Sequence, residues 1–85
     1  MLRVYSRSME THDLDPRIQK ICDGIKTLRK EAGYSSYENF AFENDLSRIS
    51  YGRMERGANI TLVSLLRILD IHKISLSEFM LKIDL

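Results

Sequence analysis

Apolar residues in the first half of the chain recur at three- and four-residue spacing, the pattern of a helix with one buried face. The row consists of Ile18, Ile21, Ile25 and Leu28. Asp15 and Pro16 precede it, and they suit the cap and the first position of a helix because Asp accepts free amides and Pro needs none. Gly33 is placed to end this helix in a left-handed conformation. The pattern predicts a first helix from about residue 16 to residue 32.

A second, shorter helix is predicted after this glycine. Ser35 and Glu38 have the spacing of a capping box, in which each side chain satisfies a free amide of the other residue. Phe40 and Ala41 would form its buried face. The Asn-Asp pair at residues 44–45 tolerates turn geometry and is expected to end it.

Three further caps predict three more helices. Ser47 and Gly57 enclose a third helix at about residues 48–56, Thr61 starts a fourth, and Ser75 with Glu78 starts a fifth. Apolar residues on either side of each cap have hydrophobic-staple spacing: Leu46 with Tyr51, Ile60 with Leu65, and Ile74 with Phe79. Five short helices without strand patterns predict an all-α bundle.

The predicted turn between the second and third helices is only about three residues long. Such a short link favours a steep crossing of the two helices, which is the geometry of a helix-turn-helix. At about 100° per residue, five residues of the third helix share one arc of roughly 140°. They are Arg48, Ile49, Gly52, Arg53 and Arg56. Tyr51 and Met54 lie on the opposite, inward side, so the arginine face is expected to point outward.

An outward arginine face suits the major groove of DNA, where an arginine can donate two hydrogen bonds to a guanine. Ile49 could contact a thymine methyl group, and Gly52 would allow a close approach. Ser36 and Tyr37 at the start of the second helix, and Asn59 after the third, offer donors for phosphate oxygens. The predicted DNA-contact set is Ser36, Tyr37, Ser47, Arg48, Ile49, Gly52, Arg53, Arg56 and Asn59.

The net charge of +1 by itself argues against a polycation that coats nucleic acid indiscriminately. The charge is unevenly distributed, however: residues 1–33 carry +2, residues 34–46 carry −3, residues 47–59 carry +2 and residues 60–85 carry none. An acidic second helix therefore precedes a basic third helix. This distribution predicts weak non-specific binding and a reliance on base contacts or dimerisation for affinity.

Other chemistry has little support in the sequence. Cys22 is the only cysteine and falls on the apolar face of the first helix, so we expect a buried hydrophobic side chain and no disulfide. His72 follows the fourth helix, where a partial positive charge would suit the helix dipole. We expect no catalytic site, no metal and no cofactor. Because no stretch has the character of a signal peptide or a membrane span, we also expect a cytoplasmic protein that does not bind membranes.

About two thirds of the chain, from Gly24 to Met80, resembles the phage-repressor and Cro-like (XRE-like) helix-turn-helix family, whose fold is lambda-repressor-like. The resemblance is carried by Ile25, Leu28, Arg29 and Gly33, by Arg53, Glu55 and Gly57, and by the run from Ser75 to Phe79. It implies base contacts from Arg48, Ile49 and Arg53, and phosphate contacts from Ser36, Tyr37 and residues 56–59. It also implies a DNA-binding transcriptional regulator.

Simpler interpretations stay open for each of these residues. The arginines could form a solvated face paired with Glu55 or Glu43, Tyr37 could be a packed aromatic, and Asn59 could only end a loop. The fourth helix has more apolar residues than one neighbour can cover, with Val63 and Ile68 flanking the stripe Leu62, Leu65, Leu66 and Leu69. This surplus could be buried under Leu2, Val4 and Tyr5 or could form a dimer interface.

We therefore expect an arm at residues 1–14 and a DNA-binding domain at residues 15–85. The expected function is a sequence-specific regulator, a repressor in the first instance, that inserts helix 48–56 into the major groove of double-stranded DNA. It would bind as a homodimer, with helix 62–70 and the C-terminal tail as the candidate interface. The alternative is a protein-interaction module of the same fold, such as an antitoxin or a partner of another regulator.

Overall fold

A computed structural model of the protein describes residues 14–85, which form five helices and no strand. The helices are α1 (Pro16–Glu31), α2 (Tyr37–Glu43), α3 (Arg48–Arg56), α4 (Leu62–His72) and α5 (Leu76–Lys82). The all-α prediction is confirmed, and the bounds of α3 are those predicted. The predicted arm lies outside the described residues except for Leu14, which is half-buried.

Four of the five predicted N-caps are confirmed. They are Asp15, Ser47, Thr61 and Ser75, each accepting a backbone amide from the first turn of its helix. The capping box of α5 is complete: the Ser75 hydroxyl accepts the Glu78 amide at 3.1 Å, and the Glu78 carboxylate accepts the Ser75 amide at 3.1 Å. These caps are local interactions, which explains why spacing alone could identify them.

The predicted cap of α2 is wrong by one residue. Ser36, and not Ser35, has extended backbone geometry, and its hydroxyl accepts the amides of Glu38 at 3.1 Å and Asn39 at 3.2 Å. One hydroxyl on Ser36 thus satisfies two free amides. This start leaves Phe40 buried, and the Tyr34 ring packs edge-on against it with the ring centroids 5.1 Å apart.

Residues with positive φ mark the ends of the first three helices. Gly33 has φ +97° after α1, and Gly57 has φ +109° after α3, as the two predicted glycine stops require. Asp45 adopts φ +58° in the link between α2 and α3. This link has four residues, 44–47, the last of which is the N-cap of α3.

The core lies where α1, α2 and α3 meet, and α4 and α5 complete it. Helix α1 packs against α2, α3 and α5, while α2 packs against α3 and α4 against α5. The buried apolar cluster contains Ile25, Leu28, Phe40, Ala41, Tyr51, Leu65, Ile68, Leu69 and Phe79. Cys22 is also fully buried, as predicted, and its thiol contacts the Ala58 carbonyl at 3.6 Å.

The apolar stripe predicted on α4 is divided between the core and the surface. Leu65 and Leu69 are buried together with Ile68, which the sequence had placed outside the stripe. Leu62 and Leu66, which the sequence had placed in the stripe, are exposed. Within residues 14–85, none of the helices combines the length and the apolar character that crossing a membrane would require.

Candidate nucleic-acid interface

Helix α3 presents a narrow outward face that carries two arginines. Ile49, Arg53 and Arg56 are exposed, and they lie within about 60° of one another around the helix. Ile49 is 64% exposed and lies between Arg56 and Arg53 around the helix. Ser50 continues the exposed surface on one side. The outward face therefore combines two cations, one apolar side chain and one hydroxyl.

Arg48 is exposed at the start of α3, away from the middle of the outward face. By helical position it lies between the buried Glu55 and Gly52, which belong to later turns of the helix. It lines a groove between α2 and the start of α3 together with Ser36, Asn39 and Phe42. The predicted arginine face is thus divided, with Arg53 and Arg56 outward and Arg48 toward α2.

Gly52 requires a correction, because it does not belong to the outward face. It is buried, and a Cβ atom on it would lie 2.6 Å from Cε1 of Tyr37. The glycine therefore lets the Tyr37 ring pack against α3, and does not provide a close approach to DNA. Tyr37 is accordingly half-buried, in agreement with the packed-aromatic alternative.

The hydroxyls of Ser36 and Ser47 are occupied as caps. Ser36 accepts two amides of α2, and Ser47 accepts the Ser50 amide at 3.3 Å. Both serines lie at helix N-termini, where backbone amides and the helix dipole favour an anion. Their role in holding the first turns of α2 and α3 is structural, and any phosphate contact would come from amides beside them.

A buried ion pair joins α3 to α1 on the packed side of α3. The Arg29 guanidinium donates to both Glu55 carboxylate oxygens, at 3.0 and 2.7 Å, and to the Tyr34 carbonyl at 2.9 Å. Each charged side chain is only 5% exposed. Such bidentate, charge-assisted contacts define the orientation of both helices. Sequence reasoning missed the pair, although Arg29 and Glu55 each follow a buried residue of their own helix, Ile25 and Tyr51, by four positions.

The protonation state of this pair follows from two opposing effects. Burial is the largest single influence on the Glu55 carboxyl and raises its pKa, but the hydrogen bonds and charge of Arg29, with smaller contributions from Tyr51 and Lys26, together lower the pKa below its ordinary value. The same contacts raise the pKa of Arg29. Burial also raises the pKa of Tyr51, whose hydroxyl lies beside the pair without a hydrogen bond of good geometry in residues 14–85.

The alternative pairings of the arginines are absent from the described chain. Glu55 is engaged by Arg29, and Glu43 accepts a hydrogen bond from the Tyr34 hydroxyl at 3.3 Å. Within residues 14–85, no carboxylate lies within 4.0 Å of the cationic nitrogens of Arg48, Arg53 or Arg56. In the described part of the chain, no ion pair holds these three guanidinium groups away from an external anion.

Lys26 is a cationic residue that the sequence prediction omitted. It lines a shallow groove between α1 and α3 with Arg56 and Tyr37, and it is exposed. It also lies close enough to Glu55 to lower the pKa of that carboxyl. By helical position Lys26 borders the buried face of α1, about 40° from Cys22 and about 60° from Arg29, and its proximity to Arg56 depends on how the helices pack.

The loop after α3 packs against α1. Gly57 packs directly over Gln19, because a Cβ atom on Gly57 would lie 2.6 Å from the Gln19 side-chain oxygen. The Cys22 thiol donates a hydrogen bond to the Ala58 carbonyl at 3.6 Å. Asn59 is exposed beyond these contacts, so the structure places it at the surface without assigning it a partner.

His72 is not the solvated cation that its position had suggested. Its ring stacks on Phe40 with centroids 5.2 Å apart and planes nearly parallel, and burial lowers its pKa. It is the last residue of α4, and the left-handed cap is Lys73. His72 is therefore a half-buried ring packed on Phe40, and its burial disfavours the protonated form.

The described residues contain no cluster of three or more histidine, cysteine or acidic side chains with metal-site geometry. The features that share one surface are the outward face of α3, the groove containing Arg48 and the groove containing Lys26 and Arg56. No family model, curated protein or solved structure matches the chain.

Proposed function

We propose that the protein is a sequence-specific DNA-binding regulator in which α2, its four-residue link and α3 act as a helix-turn-helix. The observation that carries the proposal is the outward face of α3. Arg53 and Arg56 are exposed there without an ion-pair partner in residues 14–85, and Ile49 is exposed between them. A helix of about 10 Å diameter fits a major groove of about 12 Å. The buried Arg29–Glu55 pair would hold that helix rigidly during docking.

Roles can be assigned according to where each side chain lies. Ile49 and Arg53 occupy the middle of the outward face and would contact base edges, with Arg53 bidentate to a guanine and Ile49 against a thymine methyl. Arg48, in the groove beside the start of α2, would contact the phosphate backbone, as would Lys26 and Arg56 on the other side. Amides at the starts of α2 and α3 would add phosphate contacts.

The regulator would act by occupying DNA, with repression as the expected outcome, in the cytoplasm. A single recognition helix reads only a few base pairs, so two copies would bind half-sites about 34 Å apart. The low net charge supports this arrangement, because non-specific attraction to phosphates supplies little of the affinity.

Titration of a mixed-sequence duplex at several salt concentrations tests this proposal. The logarithm of the binding constant should fall linearly with the logarithm of salt, by about 0.9 per neutralised phosphate. Arg56→Ala should reduce that slope by about one, whereas Lys82→Ala, on α5, which packs against α1 and α4 and where Lys82 pairs with Glu31, should leave it unchanged. Salt-independent binding, or equal slopes for both variants, would contradict the proposal.

The second candidate is a protein-interaction module. It is favoured by exposed apolar side chains on α4, where Val63 is 76% and Leu62 is 61% exposed. Binding through such a surface would be nearly insensitive to salt, because it does not release counterions. The same salt series therefore separates the two candidates.

A further inference from the structure

An exposed strip on α4 has a composition that is complementary to itself. It consists of Leu62, Val63, Leu66, Arg67 and Asp70, all of which are exposed. Their helical positions fall within about 140°, on the side opposite the buried Leu65, Ile68 and Leu69. The amino-terminal half of the strip is apolar, and the carboxyl-terminal half carries one base and one acid.

The two charges of the strip are arranged so that a second copy can neutralise both. Arg67 and Asp70 are separated by about 60° around the helix and by about 4.5 Å along it. They do not form an ion pair with each other or with another described residue. If two α4 helices pack antiparallel about a two-fold axis between residues 68 and 69, Arg67 of each copy is level with Asp70 of the other. A parallel pairing would instead place like charges together.

The apolar half of the strip gains burial in the same antiparallel arrangement. Leu62, Val63 and Leu66 are 61%, 76% and 40% exposed, and they would lie beside the carboxyl-terminal end of the second copy's α4. Ile71 and Ile74 pack against the core of their own copy and do not belong to the strip. Covering the three exposed side chains removes apolar surface from water, which favours association.

We propose that the α4 strip is a two-fold interface with a second copy of this chain, held by reciprocal Arg67–Asp70 pairs. Its use in placing two α3 helices on DNA rests on the proposed function, but the self-association does not. Helix α4 is only about 16 Å long, which gives an interface at the small end of the range for specific complexes. The dimer is therefore weak in solution and is reinforced when two copies bind adjacent half-sites.

Charge exchange between copies tests the proposal in the full chain without DNA. The Arg67→Asp variant carries two acids on the strip, and the Asp70→Arg variant carries two bases. Each variant alone should self-associate at least about tenfold more weakly than wild type in sedimentation equilibrium, because both reciprocal pairs become repulsive. An equimolar mixture should recover association as a heterodimer, which pairing within one helix cannot produce.

Two further variants exclude trivial explanations. Lys30→Asp makes the same charge change as Arg67→Asp on an exposed part of α1, and it should leave association unchanged. Val63→Ser removes apolar contact without a change of charge, and it should weaken association. Recovery in the mixture also establishes that both charge variants are folded.

Three results would overturn the proposal: a wild-type protein that stays monomeric, charge variants that behave like Lys30→Asp, or a mixture without heterodimer. Deletion of residues 1–13 distinguishes another occupant. If association appears only after the deletion, the strip is covered by the amino-terminal segment and the proposal is wrong. If the wild-type protein forms the dimer but does not bind DNA, the proposed function is refuted and the proposed interface is not.

Discussion

Glu55→Gln should destabilise the protein strongly, because it leaves the Arg29 guanidinium buried without its counterion. The two side chains are 5% exposed and share two hydrogen bonds of 3.0 and 2.7 Å. The third contact of Arg29, to the Tyr34 carbonyl at 2.9 Å, is neutral and cannot replace the lost charge. Removing one member of a buried pair typically costs about 3–5 kcal/mol.

This cost is large for a domain of this size. Proteins are stable by only about 5–15 kcal/mol, and 1 kcal/mol lowers the midpoint of thermal unfolding by about 4–8 °C in a domain of 60–100 residues. The smallest of these values predicts a decrease of about 12 °C. Thermal and urea unfolding followed by far-ultraviolet circular dichroism would measure both the midpoint and the free energy of unfolding.

The chain contains its own matched control. Glu31 pairs with Lys82 at 3.0 Å, but their side chains are 54% and 38% exposed. Glu31→Gln should therefore cost at most about 1 kcal/mol. The double variant Arg29→Met, Glu55→Leu should recover most of the loss, because it removes both buried charges. If Glu55→Gln costs no more than Glu31→Gln, the pair does not hold α1 and α3 together as described.

Three further predictions concern packing, pH and capping. Gly52→Ala should destabilise the fold by about 1–3 kcal/mol in chemical denaturation, because the added Cβ meets the Tyr37 ring. In a Tyr37→Ala background the same change should stabilise the fold by about 0.5–1 kcal/mol, because alanine favours the helix over glycine, and equal effects in both backgrounds would disprove the contact. Because burial lowers the pKa of His72, the unfolded chain takes up its proton first as the pH falls, so stability should decrease below about pH 6.5, and His72→Phe should reduce that dependence. Ser75→Ala should lower the free energy of unfolding by about 1 kcal/mol, and an unchanged value would argue against the α5 capping box, in which Ser75 pairs with Glu78.

Local signals determined most of what the sequence predicted correctly. Caps such as Ser47 and Thr61, and the stop at Gly57, depend on residues within one helical turn, so the spacing along the chain was sufficient. Which of Ser35 and Ser36 caps α2 could not be decided from residues within one helical turn. Either hydroxyl can cap a helix, and the choice depends on which start directs Phe40 into the core.

Helix α4 shows a second limit of sequence reasoning. Its apolar residues surround most of the helix, so periodicity could not decide whether Ile68 or Leu62 faced the core. Packing against the rest of the bundle buries Ile68 and exposes Leu62. The surplus of apolar residues was visible in the sequence, but its position was not.

The candidate site was predictable in its residue types and only partly in its geometry. The exposure of Arg53, Arg56 and Ile49 followed from the helical period. The burial of Gly52 under Tyr37 did not, because it depends on contact between two helices. The contribution of Lys26, from a third helix, depends on tertiary packing in the same way.

Selection of bound sequences from random duplex DNA, performed with wild type and with Arg53→Ala, tests the central claim most directly. Wild type should enrich a near-palindromic site whose half-sites are about 34 Å apart and contain a guanine read by Arg53. Arg53→Ala should weaken specific binding by about 1–3 kcal/mol and relax the preference at that base pair alone. Absence of any enriched sequence with folded wild-type protein, or an identical enriched site for both proteins, would contradict the assignment of the outward face of α3 to base recognition.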